Sequence, residues 1–234
     1  MKTHTGRLAG LVVMNEEVCI QIECPPLNHA FPGQYLLAFS AESSELLPTV
    51  LFPCWKYRDG IIFTGKIPKD WIPGILLSLR GPFGNGFHLP PLAKQTVLTT
   101  LDLSNINRLL MLAELALVKG AEVTLLTDAP TAQLAPEIEV LPISVLGEIK
   151  SWGDYFAAIL PVSAIQKLNN ELSLSFGHSA PFTAEIMVET PLVCADSIAC
   201  GVCSVLTTKG WKHACKDGPV FSLDELVAEG NPHG

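Results

Sequence analysis

The chain has 234 residues, of which 48% are hydrophobic and 16% are charged, and its formal net charge is −8 at pH 7. This composition predicts a globular protein with a substantial core, and it argues against nucleic-acid binding because phosphate backbones require a surface rich in Lys and Arg. The sequence contains no run of about 18 apolar residues, so we expect no insertion into a membrane.

Short strands separated by turns are predicted for residues 6 to about 90. The runs with a strand-like pattern are 18–24, 34–40, 49–55, 61–66 and 75–80, and turn residues such as Pro32-Gly33 and Pro73-Gly74 lie between them. Several short strands at this spacing are typical of a small antiparallel barrel or sandwich. We therefore predict a β-domain at residues 1–92.

The hydrophobic period changes after Pro90-Pro91 and becomes that of alternating strands and helices. The first predicted elements are a buried strand at 96–101, a helix with Ser104 as its N-cap that ends at Lys119-Gly120, and a strand at 122–127. This β-α-β order implies parallel strands. Later elements are a strand at 155–160, a helix at 162–172, a strand at 183–189, a hairpin at 206–213 and a short helix at 224–229. An α/β domain is thus predicted at 93–188, followed by a cysteine-bearing segment at 189–234.

Seven cysteines occur in the chain, and four of them lie in this last segment. Cys194, Cys200, Cys203 and Cys215 have the spacing C-x5-C-x2-C-x11-C. Because the N-terminal residues lack the pattern of an export signal, we expect a cytoplasmic protein, in which clustered cysteines bind metal more often than they form disulfides. The other three cysteines lie in predicted strands and are expected to be buried.

Four thiolates can ligate a tetrahedral zinc ion or an iron-sulfur cluster. Zinc ribbons usually use two CxxC pairs, whereas in this segment only Cys200 and Cys203 have that spacing. Three closely spaced cysteines followed by a distant fourth are closer to the plant-type ferredoxin arrangement. The spacing therefore favours a 2Fe-2S cluster, with a structural zinc site and metal-free buried thiols as the alternatives.

Three further segments have specific sequences: PGQY at 32–35, GPFGNGF at 81–87 and CKDGPVF at 215–221. Glu189 precedes Cys194 by five residues. With these segments the chain resembles, over nearly its whole length, the electron-transfer subunit of the two-subunit, NAD-linked dihydroorotate dehydrogenase, a branch of the ferredoxin reductase-like flavoproteins. The resemblance implies an antiparallel barrel that binds FAD, a Rossmann-like α/β domain that receives NAD(H), and a 2Fe-2S cluster that passes single electrons between FAD and the FMN of a catalytic partner.

The resemblance implies cofactor contacts at Pro48, Thr49, Gly65, Gly81 and Gly84. The family's Arg-Pro-x-Ser motif, whose arginine neutralises the FAD pyrophosphate, is replaced here by Leu47-Pro48-Thr49-Val50. The family's Gly-x-Gly-Thr turn reads Gly65-Lys66-Ile67-Pro68, and a proline has no N–H to donate to a phosphate. Lys66 or Arg58 would have to supply the charge, so the presence of FAD is left open.

The nucleotide turn of the α/β domain also departs from the family. Residues 101–107 read LDLSNIN, without the glycines that let the backbone approach a pyrophosphate at a helix N-terminus. Asp102 would also place a negative charge there. We therefore do not expect NAD to bind, and we interpret this domain as a retained scaffold.

The leading hypothesis is an electron-transfer subunit that passes single electrons through its 2Fe-2S cluster, with or without FAD. Its partner would be a catalytic flavoprotein subunit of dihydroorotate dehydrogenase type, or another redox protein, in a hetero-oligomer. The resemblance implies pyrimidine biosynthesis as the pathway, and we predict no catalytic residue in this chain. The alternative is a degenerate ferredoxin reductase-like subunit without FAD or NAD that serves as a docking or structural component of a larger complex.

Overall fold

The computed structural model describes residues 2–57, 60–101, 106–132, 134–172, 182–192, 194–195 and 200–227. The first part of the chain contains β1 (Thr3–Met14), β2 (Glu17–Glu23), a 3-10 turn at Pro25–Leu27, β3 (Tyr35–Phe39), β4 (Thr49–Tyr57), β5 (Gly60–Gly65) and β6 (Leu76–Phe83). These strands form a closed antiparallel barrel in the order β1-β2-β5-β4-β3-β6. The predicted barrel is confirmed, and each of the strands predicted before residue 90 is present.

β1 is the barrel strand that the sequence did not predict. It pairs with β2 on one side and with β6 on the other, so it closes the barrel. Its side-chain pattern is weak, because Leu11 and Val13 are exposed while Leu8 and Met14 are buried. Pairing on both edges satisfies its backbone groups and stabilises a segment that the hydrophobic pattern alone would not identify.

Alternation along β4 separates the barrel interior from an interdomain face. Leu51 points into the barrel core, whereas Val50 and Phe52 pack with the second domain. The barrel core contains Leu8, Ile20, Ile22, Leu36, Leu51, Phe63, Leu77 and Leu79. The outer face of β4 is therefore apolar where the second domain covers it.

The rest of the described chain forms an α/β sheet and a small hairpin. Its elements are β7 (Gln95–Thr100), α1 (Asn107–Val118), β8 (Glu122–Leu126), β9 (Ile138–Leu141), β10 (Tyr155–Pro161), α2 (Ile165–Glu171), β11 (Thr183–Glu189), β12 (Ser204–Thr207), β13 (Gly210–His213), α3 (Ala214–Asp217) and β14 (Val220–Ser222). There are 3-10 turns at Ile143–Ser151, Val162–Ala164 and Leu223–Glu225. The sheet order is β14-β11-β10-β7-β8-β9. β12 pairs with β13, and Thr207 at the end of β12 also forms an isolated bridge with Leu226.

The predicted β-α-β unit is confirmed, because β7 and β8 are parallel and α1 connects them. Ser104, its predicted N-cap, lies outside the described residues. The sequence did not predict β9 or β14, and in place of the helix predicted at 224–229 the described part contains the turn at Leu223–Glu225. β14 adds a strand from the cysteine segment to the α/β sheet, antiparallel to β11. The domain boundaries after residues 92 and 188 stay a prediction.

None of the helices that the structure describes has the length and hydropathy needed to cross a bilayer.

Asn107 joins the barrel to the first turn of α1. Its buried amide donates to the Met14 carbonyl at 2.9 Å and to the Glu17 carboxylate at 3.2 Å, and it accepts from Asn15 Nδ2 at 2.7 Å. Asn15 in turn accepts from the Ala132 backbone N–H at 2.8 Å. The tip of the β1–β2 hairpin is thus hydrogen-bonded to the α/β domain at two points.

Glu185 in β11 makes a second connection between the domains. It accepts from the Tyr155 hydroxyl at 2.6 Å and from the His88 backbone N–H at 2.6 Å. Burial, together with the neighbouring carboxylate, raises the pKa of Tyr155, so the hydroxyl keeps the proton that it donates. The chain that leaves the barrel is thereby held against β10 and β11.

Replacing Asn107 with alanine should lower the free energy of unfolding by about 1–3 kcal/mol, because the Met14 carbonyl and the Asn15 amide would lose their buried partner. Urea unfolding followed by circular dichroism measures this loss. Asn170→Ala, at an exposed position of α2, is the matched control and should change stability by less than about 0.5 kcal/mol. Equal losses in the two variants would show that the Asn107 bonds do not stabilise the domain contact.

Candidate functional site

Segments 32–35, 81–87 and 215–221 converge at one place, which we call the interlock. Asn85 lies at its centre. Its backbone N–H donates to the Gly218 carbonyl at 3.0 Å, and its Nδ2 donates to the Asp217 carbonyl at 3.0 Å and to the Val220 carbonyl at 3.1 Å. These bonds connect the loop after β6 to the turn between α3 and β14, so they fix the segment that carries Cys215.

The 32–35 segment completes the interlock. Gln34 Nε2 donates to the Gly84 carbonyl at 3.0 Å, and the Phe87 N–H donates to the Pro32 carbonyl at 2.8 Å. The buried Tyr35 hydroxyl donates to the Cys215 carbonyl at 3.1 Å. A barrel residue therefore contacts the backbone of a candidate cluster ligand directly.

Gly81 and Gly84 have a packing role at this place. Gly84 has a φ of +80°, and a Cβ there would lie 2.5 Å from Pro219 Cδ and 2.7 Å from the Gly218 carbonyl oxygen. Gly81 has a φ of +131°, and its Cβ would lie 2.8 Å from Leu36 Cδ2. A cavity lies between the barrel and the end of β11, and neither glycine is among the described residues that line it. Their role in cofactor binding therefore stays a prediction, and no contact with that cavity supports it.

The β12–β13 hairpin brings Cys203 and Cys215 to the same end. Ser204 pairs with His213, and the Ala214 N–H donates to the Cys203 carbonyl at 2.9 Å. Both cysteines are buried in the larger apolar core, which extends from the α/β sheet. Their side chains are therefore shielded from water by the same core that packs the sheet.

Cys194 and Cys200 form a second pair, with their sulfur atoms 3.7 Å apart. Two thiolates on one tetrahedral metal ion with bonds of about 2.3 Å would lie roughly 3.8 Å apart, so this pair has ligand spacing. Cys194 is buried and Cys200 is exposed. Within the described residues, no three His, Cys, Asp or Glu side chains are gathered closely enough to hold one metal ion. Four thiols in two pairs fit the chemistry of a cluster, and ligation by all four cysteines stays a prediction.

A cavity of about 630 Å³, which we call the groove, lies between the barrel and the end of β11. Pro48, Thr49 and Gly65, the other residues predicted to bind the flavin, line its barrel side. Residues 187–192, which lead towards Cys194, form the opposite side. The volume is in the range of small-molecule sites.

Arg108 in α1 is the groove residue that sequence reasoning missed. Its guanidinium carbon lies 4.2 Å from the centroid of the Phe52 ring, and its Nη1 lies 3.2 Å from Glu189 Oε2. Only 13% of the side chain is exposed, and Nε is buried with no hydrogen-bond partner within the described residues. Thr190 Oγ1, also in the groove, has none there either. One signal was available, because Arg108 is the only Lys or Arg in residues 95–118.

The contacts of Arg108 fix its position without using all of its donors. Stacking on Phe52 is worth about 0.5–2 kcal/mol. Burial removes the positive charge of Arg108 from water, and the negative charge of the Glu189 carboxylate offsets part of the cost. An unsatisfied buried donor such as Nε costs about 1–3 kcal/mol. The groove therefore contains a fixed cation that still has an N–H to donate.

Comparison with protein families gives a match for the segment that carries most of the candidate ligands. Residues 199–227 match the family described as the iron-sulfur cluster binding domain of dihydroorotate dehydrogenase B. We refer to this segment, which is similar to that domain, as the cluster binding domain. The cluster binding domain contains Cys200, Cys203 and Cys215 together with the β12–β13 hairpin, α3 and β14, and the resemblance stated from the sequence is confirmed. No curated protein matches the chain in sequence.

Solved structures extend the similarity beyond the cluster binding domain. An NADH-dependent reduced ferredoxin-NADP oxidoreductase, studied for flavin-based electron bifurcation, has a TM-score of 0.73 at 16% identity and covers 96% of this chain and 90% of that chain. Phthalate dioxygenase reductase, which transfers electrons from pyridine nucleotides to 2Fe-2S, has a TM-score of 0.55 at 12% identity. The similarity covers 79% of this chain and 68% of that chain. A ferredoxin NADP+ reductase from Neisseria gonorrhoeae with bound FAD and NADP has a TM-score of 0.55 at 14% identity, with 81% and 98% covered. The predicted ferredoxin reductase-like fold is confirmed.

The fold and the cluster binding domain together support an iron-sulfur electron-transfer subunit. The barrel and α/β sheet are those of the solved structures, and the matched domain is described as one that binds an iron-sulfur cluster.

Gly84→Ala should loosen the cluster binding domain, because the new methyl group would overlap Pro219. Gly120→Ala is the matched control, since Gly120 has a φ of +79° and no atom within 4 Å of an added Cβ. Both variants carry backbone strain of about 1–2 kcal/mol, and only Gly84→Ala adds the clash, worth about 1–3 kcal/mol more. The midpoint temperature of thermal unfolding and the iron content should both be lower in Gly84→Ala than in Gly120→Ala. Equal effects of the two substitutions would contradict the packing role of Gly84 in the interlock.

Proposed function

We propose that this chain is the electron-transfer subunit of a dihydroorotate dehydrogenase-type complex and carries single electrons through a 2Fe-2S cluster. The observation that carries the proposal is the match of residues 199–227 to the iron-sulfur cluster binding domain of that enzyme. The cluster type is proposed from the C-x5-C-x2-C-x11-C spacing.

The proposed cluster ligands are Cys194, Cys200, Cys203 and Cys215. The sulfur atoms of Cys194 and Cys200 are 3.7 Å apart, which supports ligation of the same metal ion. Cys203 and Cys215 lie at the same end of the hairpin, which supports shared ligation by this second pair. When bound, the cluster supplies a centre that accepts and releases one electron. The chain holds the thiolates, and it buries three of them so that water has little access to the site.

Electron exchange with the partner is proposed to occur on the side where Cys200 is exposed. Val202 and Trp211, close to the candidate ligands in sequence, are 60% and 65% exposed. Exposed apolar side chains of this size favour contact with another protein. We therefore propose this surface as the contact for a catalytic flavoprotein subunit, in a cytoplasmic hetero-oligomer that serves pyrimidine biosynthesis.

A flavin is proposed as the ligand of the groove, held chiefly through its ring. Val50, Phe52 and Leu192 supply apolar walls, and Arg108 supplies a donor. The phosphate end is poorer, because Pro68 has no N–H there and a leucine replaces the expected arginine. The residues present thus fit the ring better than the pyrophosphate of FAD. When bound, a flavin would supply the conversion between two-electron and one-electron transfer.

The second candidate is a subunit without FAD or NAD that carries electrons only through its cluster or serves docking. It is favoured by the weak phosphate end, where Leu47 is 64% exposed in place of the family's arginine. A visible spectrum of anaerobically purified protein separates the two. Flavin bands together with cluster absorption favour the first candidate, and cluster absorption alone favours the second.

Cys203→Ala and Cys215→Ala should each lower cluster affinity more than about 10-fold. Loss of a residue that only hydrogen-bonds to a ligand already lowers metal affinity by about 10-fold or more, and loss of the ligand itself should cost more. Iron and acid-labile sulfide analysis of anaerobically purified protein measures the loss. Cys24→Ala is the matched control, since Cys24 is buried in the barrel and should leave iron content unchanged.

Equal iron content in all four proteins would contradict the ligand assignment. A wild-type protein that contains zinc, or no metal, would overturn the proposed electron-transfer function itself.

A further inference from the structure

The two ends of the groove differ in their chemistry. Lys66 and Pro68, which follow β5, form one part of the lining, and Phe52, Arg108 and Glu189, which contact one another, form another part. Phe52 pairs with Thr64 and Leu51 pairs with Gly65, so Lys66 and Pro68 follow the end of β5 that lies beyond Phe52. A ligand that fills the groove therefore meets an exposed lysine with one part and a buried arginine with another.

The side chain of Arg108 has donor capacity that the described protein does not use. A guanidinium carries five N–H donors in one fixed plane. Glu189 uses Nη1 at 3.2 Å, and the ring of Phe52 lies 4.2 Å from the guanidinium carbon. Nε remains buried without a partner within the described residues, and Thr190 Oγ1 is a second such atom in the same cavity. Burial without a partner is unfavourable for polar groups, so a ligand acceptor at this end would be stabilised.

We propose that Arg108 binds the ring of a flavin in the groove by donating its Nε–H to an acceptor atom on the ring edge. This inference rests on the proposed function, in which the groove takes a flavin. A flavin ring is planar, with apolar faces and an edge of carbonyl oxygens and ring nitrogens. Val50 and Phe52 offer apolar contact to such a face, and the planar fork of Arg108 suits its edge.

Glu189 acts as the positioning residue for Arg108. The ion pair at 3.2 Å holds the guanidinium beside the end of β11, and the Phe52 ring supports it from the barrel side. Arg108 is thereby kept at the ring end and away from Lys66. Because the phosphate end contributes one exposed lysine, which water and salt screen, flavin affinity should depend on the ring far more than on the phosphates.

Titration of the full chain with riboflavin, FMN and FAD, followed by flavin fluorescence, tests the inference. The wild-type chain should bind the three flavins with affinities within about 10-fold of each other, and Arg108→Gln should weaken all three by about 10- to 100-fold. Arg108→Lys keeps the charge but loses the planar fork, so its affinities should lie between the two. Arg7→Gln, an exposed arginine of β1 outside the groove, is the matched control and should bind as the wild type does.

The double variant Arg108→Gln/Glu189→Gln separates binding from folding. It leaves no uncompensated carboxylate, so its thermal midpoint should stay near that of the wild type while its flavin affinity is still reduced. Weakened FMN and FAD binding with unchanged riboflavin binding would place Arg108 on the phosphates and overturn the inference. Wild-type affinity of Arg108→Gln for all three flavins would also overturn it and leave the proposed function intact. A wild-type chain that binds iron but no flavin would remove the flavin from the proposed function, and this inference with it.

Discussion

Hydrogen bonds from Asn85 to the backbone of residues 217–220 decide where the cysteine segment lies. The β12–β13 hairpin is a two-stranded unit, and such a unit is marginally stable by itself. Asn85 holds the turn after α3, which follows the hairpin, from the barrel side, and the Val188 N–H donates to the Pro219 carbonyl of this turn from the sheet side at 2.9 Å. Tyr35 adds its bond to the Cys215 carbonyl. The geometry of the candidate ligands therefore depends on the contact between barrel and sheet, more than on the hairpin.

Local patterns in the sequence predicted the elements whose burial is periodic. The mostly apolar run at 49–55 predicted β4, which is buried on both faces over most of its length, and the helical period after residue 105 predicted α1, which repeats one buried face. β14 has only the residues Val220–Ser222 and exists through pairing with β11. β1 has exposed apolar residues next to buried ones and is stabilised by both neighbours. Neither strand has a local signal strong enough to identify it.

The candidate site was predictable where its chemistry needs a particular residue type. Cluster ligation needs thiolates, so the cysteine spacing was informative. Glycine was harder to interpret, because close approach to a glycine does not say what approaches: at Gly84 it is Pro219, and at Gly81 it is Leu36. Arg108 could not be assigned from its own surroundings in the chain, since its partners come from a barrel strand and from the end of β11.

The groove and the candidate cluster site share one stretch of backbone. Glu189 to Leu192 line the groove, and Cys194, two residues further, lies 3.7 Å from Cys200. Charges in a protein core interact more strongly than in water. A change in the charge of Arg108 or Glu189 is therefore expected to affect both the groove and the candidate cluster site. The residues that form this adjacency lie at the end of β11 and directly after it, far in the sequence from the glycine-free segment 101–107.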